Sequence, residues 1–432
     1  MVFIALGLLF ITLVIGVPVP FAFMVSTTFL MVVGGYSPSF LLPYGFSKMT
    51  TVVLLAIPLF ITAGGIMERG NIGDKLVDLV DVFVGKIKGG LGCVAVVSCA
   101  VFGSITGSSC ATLSCIGSIM FPRLKKAGYP RGHSAALMAN AAVLGILIPP
   151  SSLMILYAWV GGQSVLACFL SSVIPGIILT ILMSIVNMFL LRNNPDLLLD
   201  EPREFAETLK LFKVRGKRAI PALIMPIIVL GGIYGGVMTP TEAAAVSVVY
   251  AIPVGFFIYR GLTWKKFVEA LTESSTTTGV IMIMLFCVMI LSRLYIMEDL
   301  PGMLMTFLQS ISPNRYVILF MLNIFMVIMG MLMDDVSATL LSTPILLPIV
   351  VQLGFSPIHF AAILGVNLGM GNITPPAAPL LYLGGSLNNA PINEMMKTTG
   401  ALLLFAWLPV LLITTYIPQL SLFLPRLLLG VH

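Results

Sequence analysis

Charged side chains are scarce in this sequence. Asp, Glu, Lys and Arg make up 9% of its 432 residues, whereas about 25% is usual for a soluble domain. Hydrophobic residues make up 58% and the mean hydropathy is +1.08, which excludes a water-soluble protein of this size. Apolar stretches long enough to cross a bilayer recur along the whole chain, with no soluble domain at either end. The expected fold class is therefore an all-α polytopic membrane protein.

Cysteine pairs and targeting signals are also absent. The six cysteines form no C-x-x-C pair, which favours small packing residues over a redox or metal site. The apolar N-terminal stretch lacks a basic leading segment and a small-residue cleavage site, so we expect a retained membrane span and not a signal peptide. The net charge of +6 indicates no nucleic acid partner, because membrane proteins collect Lys and Arg in cytoplasmic loops.

The adjacent pair Asp334-Asp335 raises one enzymatic alternative, an intramembrane aspartyl protease. That chemistry needs two aspartates on separate facing helices, whereas adjacent residues on one helix point about 100° apart. We therefore expect no enzyme activity and no cofactor. A passive channel is a second alternative, but a channel does not require the internal repeat described below.

Two apolar stretches, 89–121 and 316–352, are too long for one helix and carry Gly, Ser or Asp in mid-run, which predicts re-entrant helical hairpins. Basic residues flank the first stretch on both sides, so both of its ends are expected in the cytoplasm. Tracing the spans from this anchor places 19 of the 23 Lys and Arg residues in cytoplasmic segments. The second hairpin then opens to the opposite side, and the N-terminus is expected in the periplasm of a bacterial inner membrane.

The second half of the sequence repeats features of the first half at a constant shift. The shift aligns four sets of residues: Pro122 with Pro348, His133 with His359, Gly145 with Gly371, and Pro149-Pro150 with Pro375-Pro376. Because the two hairpins have opposite predicted orientations, we expect inverted-topology repeats, which are typical of secondary transporters. The repeats are predicted at 1–191 and 219–432, and each contains a broken helix, at 134–160 and 359–387. Residues 192–218, with seven basic and five acidic side chains, are the expected cytoplasmic connector.

The first half places polar residues where its helices are predicted to break, in GSITGSSCAT (103–112) and NAAVLGILIPPSS (140–152). Backbone groups freed inside a membrane must be buried in protein or line a wet cavity. Carbonyls, hydroxyls and the Asn140 amide are hard oxygen ligands suited to a small cation such as sodium. Helix N-termini at the same place favour a carboxylate.

The second half repeats this arrangement in MGMLMDDVSAT (329–339) and NLGMGNITPPAAP (367–379), and adds two acids. A carboxylate at the bilayer centre costs about 2.5 to 3.5 kcal/mol on insertion scales. Asp334 and Asp335 are therefore expected to be paired, ion-bound or in a wet cavity. The alternative is that one of them caps the second helix of the hairpin, and capping and cation binding can coexist.

Several motifs resemble those of the large permease subunit of tripartite ATP-independent periplasmic (TRAP) transporters. They are GVPVPFAF (16–23), IPLFITAGGIMERG (57–70), GGIYGGVMTPTEAAAV (231–246), and the hairpin and broken-helix segments given above. The resemblance covers nearly the whole chain. It implies an elevator-type importer with scaffold and transport domains, driven by sodium as the coupling ion. It also implies a small membrane subunit and a periplasmic substrate-binding protein as partners, and an organic acid such as sialic acid or a C4-dicarboxylate as substrate.

The resemblance also implies site residues. Sodium would be bound by two sets, first Gly103, Ser104, Thr106, Ser108, Asn140, Gly145 and Pro149, and second Asp334, Ser337, Thr339, Gly369, Gly371, Thr374 and Pro375. Substrate would be bound by Ser109, Ser151, Asp335, Asn372 and Pro376. One departure is that an Ala-Asp pair frequent in the first hairpin of this family is Ala111-Thr112 here. A stand-alone sodium/anion symporter of the divalent-anion type, which needs no binding protein, is the alternative reading.

Overall fold

The computed structural model of the protein describes residues 1–84, 88–195, 197 and 205–430, and every regular element within that part is helical. Helices satisfy their own backbone hydrogen bonds, which an apolar surrounding requires. The helices before residue 200 are α1 Val2–Val14, α2 Val19–Gly34, α3 Pro38–Met49, α4 Ala56–Arg69, α5 Ile72–Val84, α6 Gly90–Thr106, α7 Ser109–Lys126, α8 Arg131–Ala142, α9 Leu144–Leu147, α10 Ser152–Gly161 and α11 Val165–Leu191.

The helices after residue 200 are α12 Phe205–Tyr234, α13 Pro240–Pro253, α14 Trp264–Met297, α15 Leu300–Ile311, α16 Arg315–Leu332, α17 Asp335–Gln352, α18 Pro357–Gly371, α19 Pro379–Leu387, α20 Ile392–Leu402, α21 Leu408–Tyr416 and α22 Pro418–Leu429. Among the described residues, eight helices are long and apolar enough to cross a membrane, and α8 to α10 pass the same test as one span bent by 44°. The prediction of a polytopic all-α membrane protein is confirmed.

The two predicted hairpin segments each form a pair of packed helices, α6 with α7 and α16 with α17. Gly107 and Ser108 join the first pair, and Gly107 has a φ of +63°, which favours glycine. Met333 and Asp334 join the second pair. Ser108 and Asp334, at equivalent positions of the internal repeat, are the N-caps of α7 and α17. Because α16 and α17 have 18 residues each, a length of about 27 Å, length alone does not distinguish a re-entrant hairpin from two crossings.

The two predicted broken helices are interrupted at equivalent places. The first runs through α8 and α9 and resumes at α10, and the second runs through α18 and resumes at α19. Both interruptions contain a Pro-Pro sequence with a cis peptide bond, Pro149-Pro150 and Pro375-Pro376. Each Pro-Pro pair removes two consecutive N–H donors from the helical ladder, and neither α9 nor α18 continues through it.

Each hairpin packs directly on its broken helix through a pair of glycines. A Cβ atom added to Gly103 on α6 would lie 2.4 Å from the Cα atom of Gly145, and one added to Gly371 on α18 would lie 2.6 Å from the Cα atom of Gly330 on α16. Only glycine permits backbones to approach this closely. Gly145 and Gly371 are aligned by the internal repeat, and Gly103 and Gly330 are aligned to within one position, so the contact is the same in both halves.

A second group of helices, α4, α13 and α14, packs together. Helix α13 begins with a capping box in which Thr239 accepts from the Glu242 amide and the Glu242 carboxylate accepts from the Thr239 amide. The short helix α5 lies between α7 and α12, because Arg123 of α7 pairs with Asp78 at 2.9 Å and Arg215 of α12 pairs with Asp81 at 2.8 Å.

The charged connector predicted at 192–218 lies partly outside the described residues. Its last part, from Phe205, is already helical and continues without interruption into α12. Helix α12 can begin this early because residues 205–218 contain no proline, and their single glycine, Gly216, lies inside a run of good helix formers. The boundary at residue 218 between connector and second repeat stays a prediction.

Candidate ion and substrate site

The two hairpin tips meet. Ser109, in the first turn of α7, donates a hydrogen bond from its hydroxyl to the Oδ2 atom of Asp335, in the first turn of α17, at 2.7 Å. The two residues occupy equivalent positions of the internal repeat. Two segments that are distant in sequence therefore form one site, and this bond joins two of the residues predicted to bind substrate.

Oxygen atoms are concentrated at the first tip. The hydroxyl oxygens of Thr106 and Thr112 lie 3.1 Å apart, and the Thr112 hydroxyl donates to the Ser108 carbonyl at 2.7 Å. A Cβ atom on Gly145 would lie 2.7 Å from the Thr112 hydroxyl oxygen and 2.8 Å from the Ser108 carbonyl oxygen. The structure therefore brings together Thr106, Ser108, Thr112 and Gly145, and all of these except Thr112 were predicted from sequence.

Ser151 and Ser152 both form hydrogen bonds at the break in the first broken helix. Ser152 donates from its hydroxyl to the Gly107 carbonyl at 2.8 Å. Ser151 donates to the Ile146 carbonyl at 2.6 Å and accepts from the Met154 amide at 3.4 Å, which caps α10. Ser151 is fully buried, so its polar groups are already engaged within the protein.

Two more predicted sodium ligands of the first half have internal partners. Asn140 donates to the Ala136 carbonyl at 2.8 Å and accepts from the indole nitrogen of Trp407 at 3.1 Å. Ser104 donates to the Val101 carbonyl at 2.6 Å. The contact with Trp407 ties the first broken helix to the start of α21.

At the second tip, Asp334 is the helix cap. Its Oδ2 atom accepts from the amides of Val336 at 3.1 Å and Ser337 at 3.4 Å, and its Oδ1 atom accepts from the Ser337 hydroxyl. The capping alternative raised from sequence is thus confirmed for this residue. The Asp334 side chain remains exposed, so a ligand can still reach the carboxylate.

Asp335 has a different environment. While its Oδ2 atom accepts from Ser109, its Oδ1 atom is buried and has no hydrogen-bond partner in the part of the chain that the structure describes. Two amide oxygens of the second broken helix, those of Asn367 and Asn372, are also buried without a partner. No Lys, Arg or His of the described ranges forms an ion pair with either aspartate.

Other predicted residues of the second half lie around these. Thr339 donates to the Asp335 carbonyl at 2.7 Å, and Thr374 donates to the Met370 carbonyl at 2.6 Å. Gly369 packs against Val143 and Trp407, because a Cβ atom there would lie 2.5 Å from the first and 3.2 Å from the second. Pro376 is exposed. The carbonyls of Pro149 and Pro375 accept no hydrogen bond from the described residues.

The N-termini of α7 and α17 differ in charge although their backbones correspond. At α17 the Asp334 carboxylate accepts hydrogen bonds from two backbone amides, and a second acid, Asp335, follows it. At α7 the cap is the neutral Ser108, which accepts only from the Ala111 amide, at 3.5 Å. The amides of Ser109 and Cys110 have no acceptor among the described residues. The first tip is therefore the more positive of the two.

Sequence reasoning missed three residues that the geometry places here, namely Thr112, Ser152 and Asn367. The internal repeat contained a signal for Thr112, because Thr339 was selected within one position of its equivalent in the second half. No sequence signal separates Asn367, whose oxygen is unpaired, from Asn140, whose oxygen bonds to Trp407. That difference depends on a residue near the other end of the chain.

Comparison with known proteins gives consistent matches. The family model described as "Tripartite ATP-independent periplasmic transporter, DctM component" matches residues 6–420. The chain is 34% identical to the C4-dicarboxylate TRAP transporter large permease protein DctM of Pseudomonas aeruginosa, over 86% of each chain. It is 32% identical to the sialic acid TRAP transporter large permease protein SiaM of Vibrio cholerae, over 98% of this chain and 97% of that protein.

A solved structure has a similar fold. The crystal structure of the Alcanivorax borkumensis YdaH transporter matches with a TM-score of 0.58 and 15% sequence identity, over 92% of this chain and 88% of that chain. At this identity the match concerns the fold alone. The family match covers nearly the whole chain, and the relatives named above are transporter permease proteins and not enzymes. The chain therefore belongs to the DctM family, the large permease subunits of TRAP transporters.

Proposed function

We propose that the protein imports an organic acid across the bacterial inner membrane together with sodium, by an elevator mechanism. The observation that carries this proposal is the contact between the two hairpin tips, where Ser109 bonds to Asp335 at 2.7 Å. Around that bond lie hydroxyls, freed carbonyls and helix N-termini, which are the groups that secondary transporters use for ions and carboxylates.

The substrate carboxylate is assigned to the N-terminus of α7. The unpaired amides of Ser109 and Cys110 point out of a helix end that carries no acidic cap, and helix N-termini attract anions. The corresponding end of α17 is unsuitable, because the Asp334 carboxylate already accepts from its amides. The substrate therefore binds with its acid group towards the first hairpin.

One sodium ion is assigned to the oxygen cluster of the first tip. Thr106, Thr112 and the Ser108 carbonyl lie within hydrogen-bond distance of one another, and the backbone of Gly145 packs closely against them. A second ion is assigned to the exposed carboxylate of Asp334 with the Ser337 hydroxyl. The carbonyls of Pro149 and Pro375, freed where the broken helices stop, supply further oxygen ligands of the kind that coordinates sodium in transporters.

The matched geometry of the two halves supports the inverted repeat and the elevator mechanism. In both halves a hairpin contacts its broken helix through two glycines, so the hairpins and broken helices form a unit that can move as one body. The helices α4, α13 and α14 form the proposed scaffold. The proposed orientation has the N-terminus in the periplasm, because most Lys and Arg then lie in the cytoplasm.

The partners and substrate class come from the relatives. The chain resembles permeases named for C4-dicarboxylates and for sialic acid, so we propose a carboxylate of one of these classes as the substrate. A small TRAP membrane subunit and a periplasmic substrate-binding protein are the proposed partners. Two sodium ions carried with one monoanion would move one net positive charge inward, and each charge gains about 2.3 kcal/mol per 100 mV.

The test is uptake of labelled sialic acid and succinate into proteoliposomes that contain the chain with its small membrane subunit. Sodium gradient and binding protein are each supplied or withheld, and a potassium diffusion potential is imposed with valinomycin. Uptake that needs both sodium and the binding protein, and that rises with an inside-negative potential, supports the proposal. Sodium-driven uptake without the binding protein indicates a stand-alone symporter, and uptake that is independent of sodium refutes the ion sites.

A further inference from the structure

The two adjacent aspartates at the second tip are not equivalent. Both carboxylate oxygens of Asp334 accept hydrogen bonds within the cap of α17. Asp335 accepts one hydrogen bond, from Ser109, and its Oδ1 atom is buried without a donor among the described residues. A buried carboxylate oxygen is rarely left without a donor, so this atom is available to a group other than the described residues.

A second buried acceptor lies at the C-terminal end of α18. Asn372 is 2% exposed and its Oδ1 atom has no partner in the described part of the chain. It follows Gly371, whose backbone contacts α16 at Gly330, one helical turn before the turn that presents Asp334. The hairpin and the broken helix of the second half thus each carry a buried acceptor for which the described residues supply no donor.

An ionised carboxylate substrate cannot satisfy these acceptors, because it has no donor of its own. A second carboxylate placed beside Asp335 would also be repelled, since no described basic side chain neutralises that aspartate. The arriving group must therefore carry a hydrogen or a positive charge. Ser109 determines where this group binds, because the Ser109 amide belongs to the unpaired N-terminus of α7 and the Ser109 hydroxyl bonds to Asp335.

We propose that Ser109 and Asp335 form a donor subsite of the substrate site, which binds a hydroxyl or ammonium group of the transported acid. This inference rests on the proposed function, which places the carboxylate at the α7 N-terminus. The transported acid then has its carboxylate on the amides of Ser109 and Cys110 and its donor on Asp335. Hydroxy acids and amino acids fit this subsite, whereas acids without a donor do not.

The test compares matched acids by direct binding to the purified complex of the chain with its small subunit, in saturating sodium. Propionate, lactate and alanine form one set, and succinate, malate and aspartate form another; N-acetylneuraminate serves as a larger hydroxylated acid. Direct titration calorimetry avoids the selection made by the binding protein. The expected result is that at least one donor-bearing acid binds about tenfold or more tightly than its donor-free analogue, because a hydrogen bond to a charged group contributes at least that much.

Two variants test the assignment to this pair. Asp335→Asn keeps the shape of the side chain and removes its charge. It is expected to reduce the preference for donor-bearing acids about tenfold or more. If N-acetylneuraminate is the only acid that binds, its affinity is expected to fall by the same factor. Ser109→Ala is expected to reduce it by a smaller factor. The wild-type preference is measured without any variant and so does not depend on how a variant folds.

Three results would overturn the inference. Equal binding of donor-bearing and donor-free acids by the wild-type complex refutes the subsite but leaves the proposed function intact. A preference that survives Asp335→Asn while sodium affinity falls assigns Asp335 to the coupling ion. The absence of binding by any acid in sodium refutes the proposed function itself, and the donor subsite with it.

Discussion

Removing the Thr112 hydroxyl is the most direct test of the sodium site proposed at the first tip. Thr112→Val keeps the side-chain volume but removes an oxygen that lies 3.1 Å from the Thr106 hydroxyl and donates to the Ser108 carbonyl at 2.7 Å. Each lost neutral hydrogen bond costs about 1 kcal/mol. After the substitution Thr106 can still donate to the Phe102 carbonyl, which lies 3.4 Å away. The variant is therefore expected to fold.

The effect on sodium should be larger than the effect on stability. A polar ligand of a charged group contributes about 1.5 to 3 kcal/mol, and each step of about 1.4 kcal/mol is a factor of ten in affinity. Sodium affinity is therefore expected to fall roughly 10- to 100-fold. The measurement is the sodium concentration for half-maximal uptake in proteoliposomes, at a fixed membrane potential and with the binding protein in excess.

Thr27→Val is the matched control for this substitution. Thr27 is 2% exposed and donates to the Phe23 carbonyl at 2.8 Å, which is the same kind of bond to the preceding turn of a helix. It lies on α2, outside the site. If both variants shift the sodium dependence by the same factor, the effect of Thr112 is structural and the assignment of the first ion is wrong.

Three further predictions follow from other contacts. Gly103→Ala should destabilise the protein by about 3 kcal/mol or more, because its Cβ would lie 2.4 Å from the Gly145 backbone. The control is Gly7→Ala, whose Cβ would meet nothing within 4 Å and which should not lower the thermal unfolding temperature. Trp407→Phe leaves the buried Asn140 oxygen without its donor and should lower the free energy of unfolding by about 1 to 3 kcal/mol; no change in denaturant unfolding would contradict this. Ser108→Asp retains a good cap but adds a carboxylate at the α7 N-terminus, so substrate binding should weaken at least about tenfold while thermal stability is kept. Calorimetry with the substrate identified by uptake measures this loss of affinity.

The membrane class and the break points could be predicted from sequence because both depend on local chemistry. Pro149-Pro150 and Pro375-Pro376 remove amides from the helical ladder wherever the rest of the chain lies. The internal repeat paired Gly145 with Gly371, and the structure shows that both accept a close backbone. A signal that occurs twice at a fixed spacing is stronger than either occurrence alone.

The division of roles within the site could not be predicted in the same way. Asn140 and Asn367 occur in similar motifs, but only Asn140 meets the Trp407 indole, and its oxygen is therefore paired. Asp334 and Asp335 are adjacent and chemically identical, yet one caps a helix and the other faces Ser109 of the other hairpin. These differences depend on contacts between the two halves of the chain, which local patterns do not contain.

The two tips show how equivalent backbones can carry opposite charge. Both hairpins turn at the same relative position and place an N-cap there, Ser108 in one and Asp334 in the other. A neutral cap leaves the first helix end positive, whereas a carboxylate cap makes the second end negative. The side chain that follows each cap completes the difference, since Ser109 donates and Asp335 accepts. Two side-chain differences on equivalent backbones are thus sufficient to make one helix end positive and the other negative where the two tips meet.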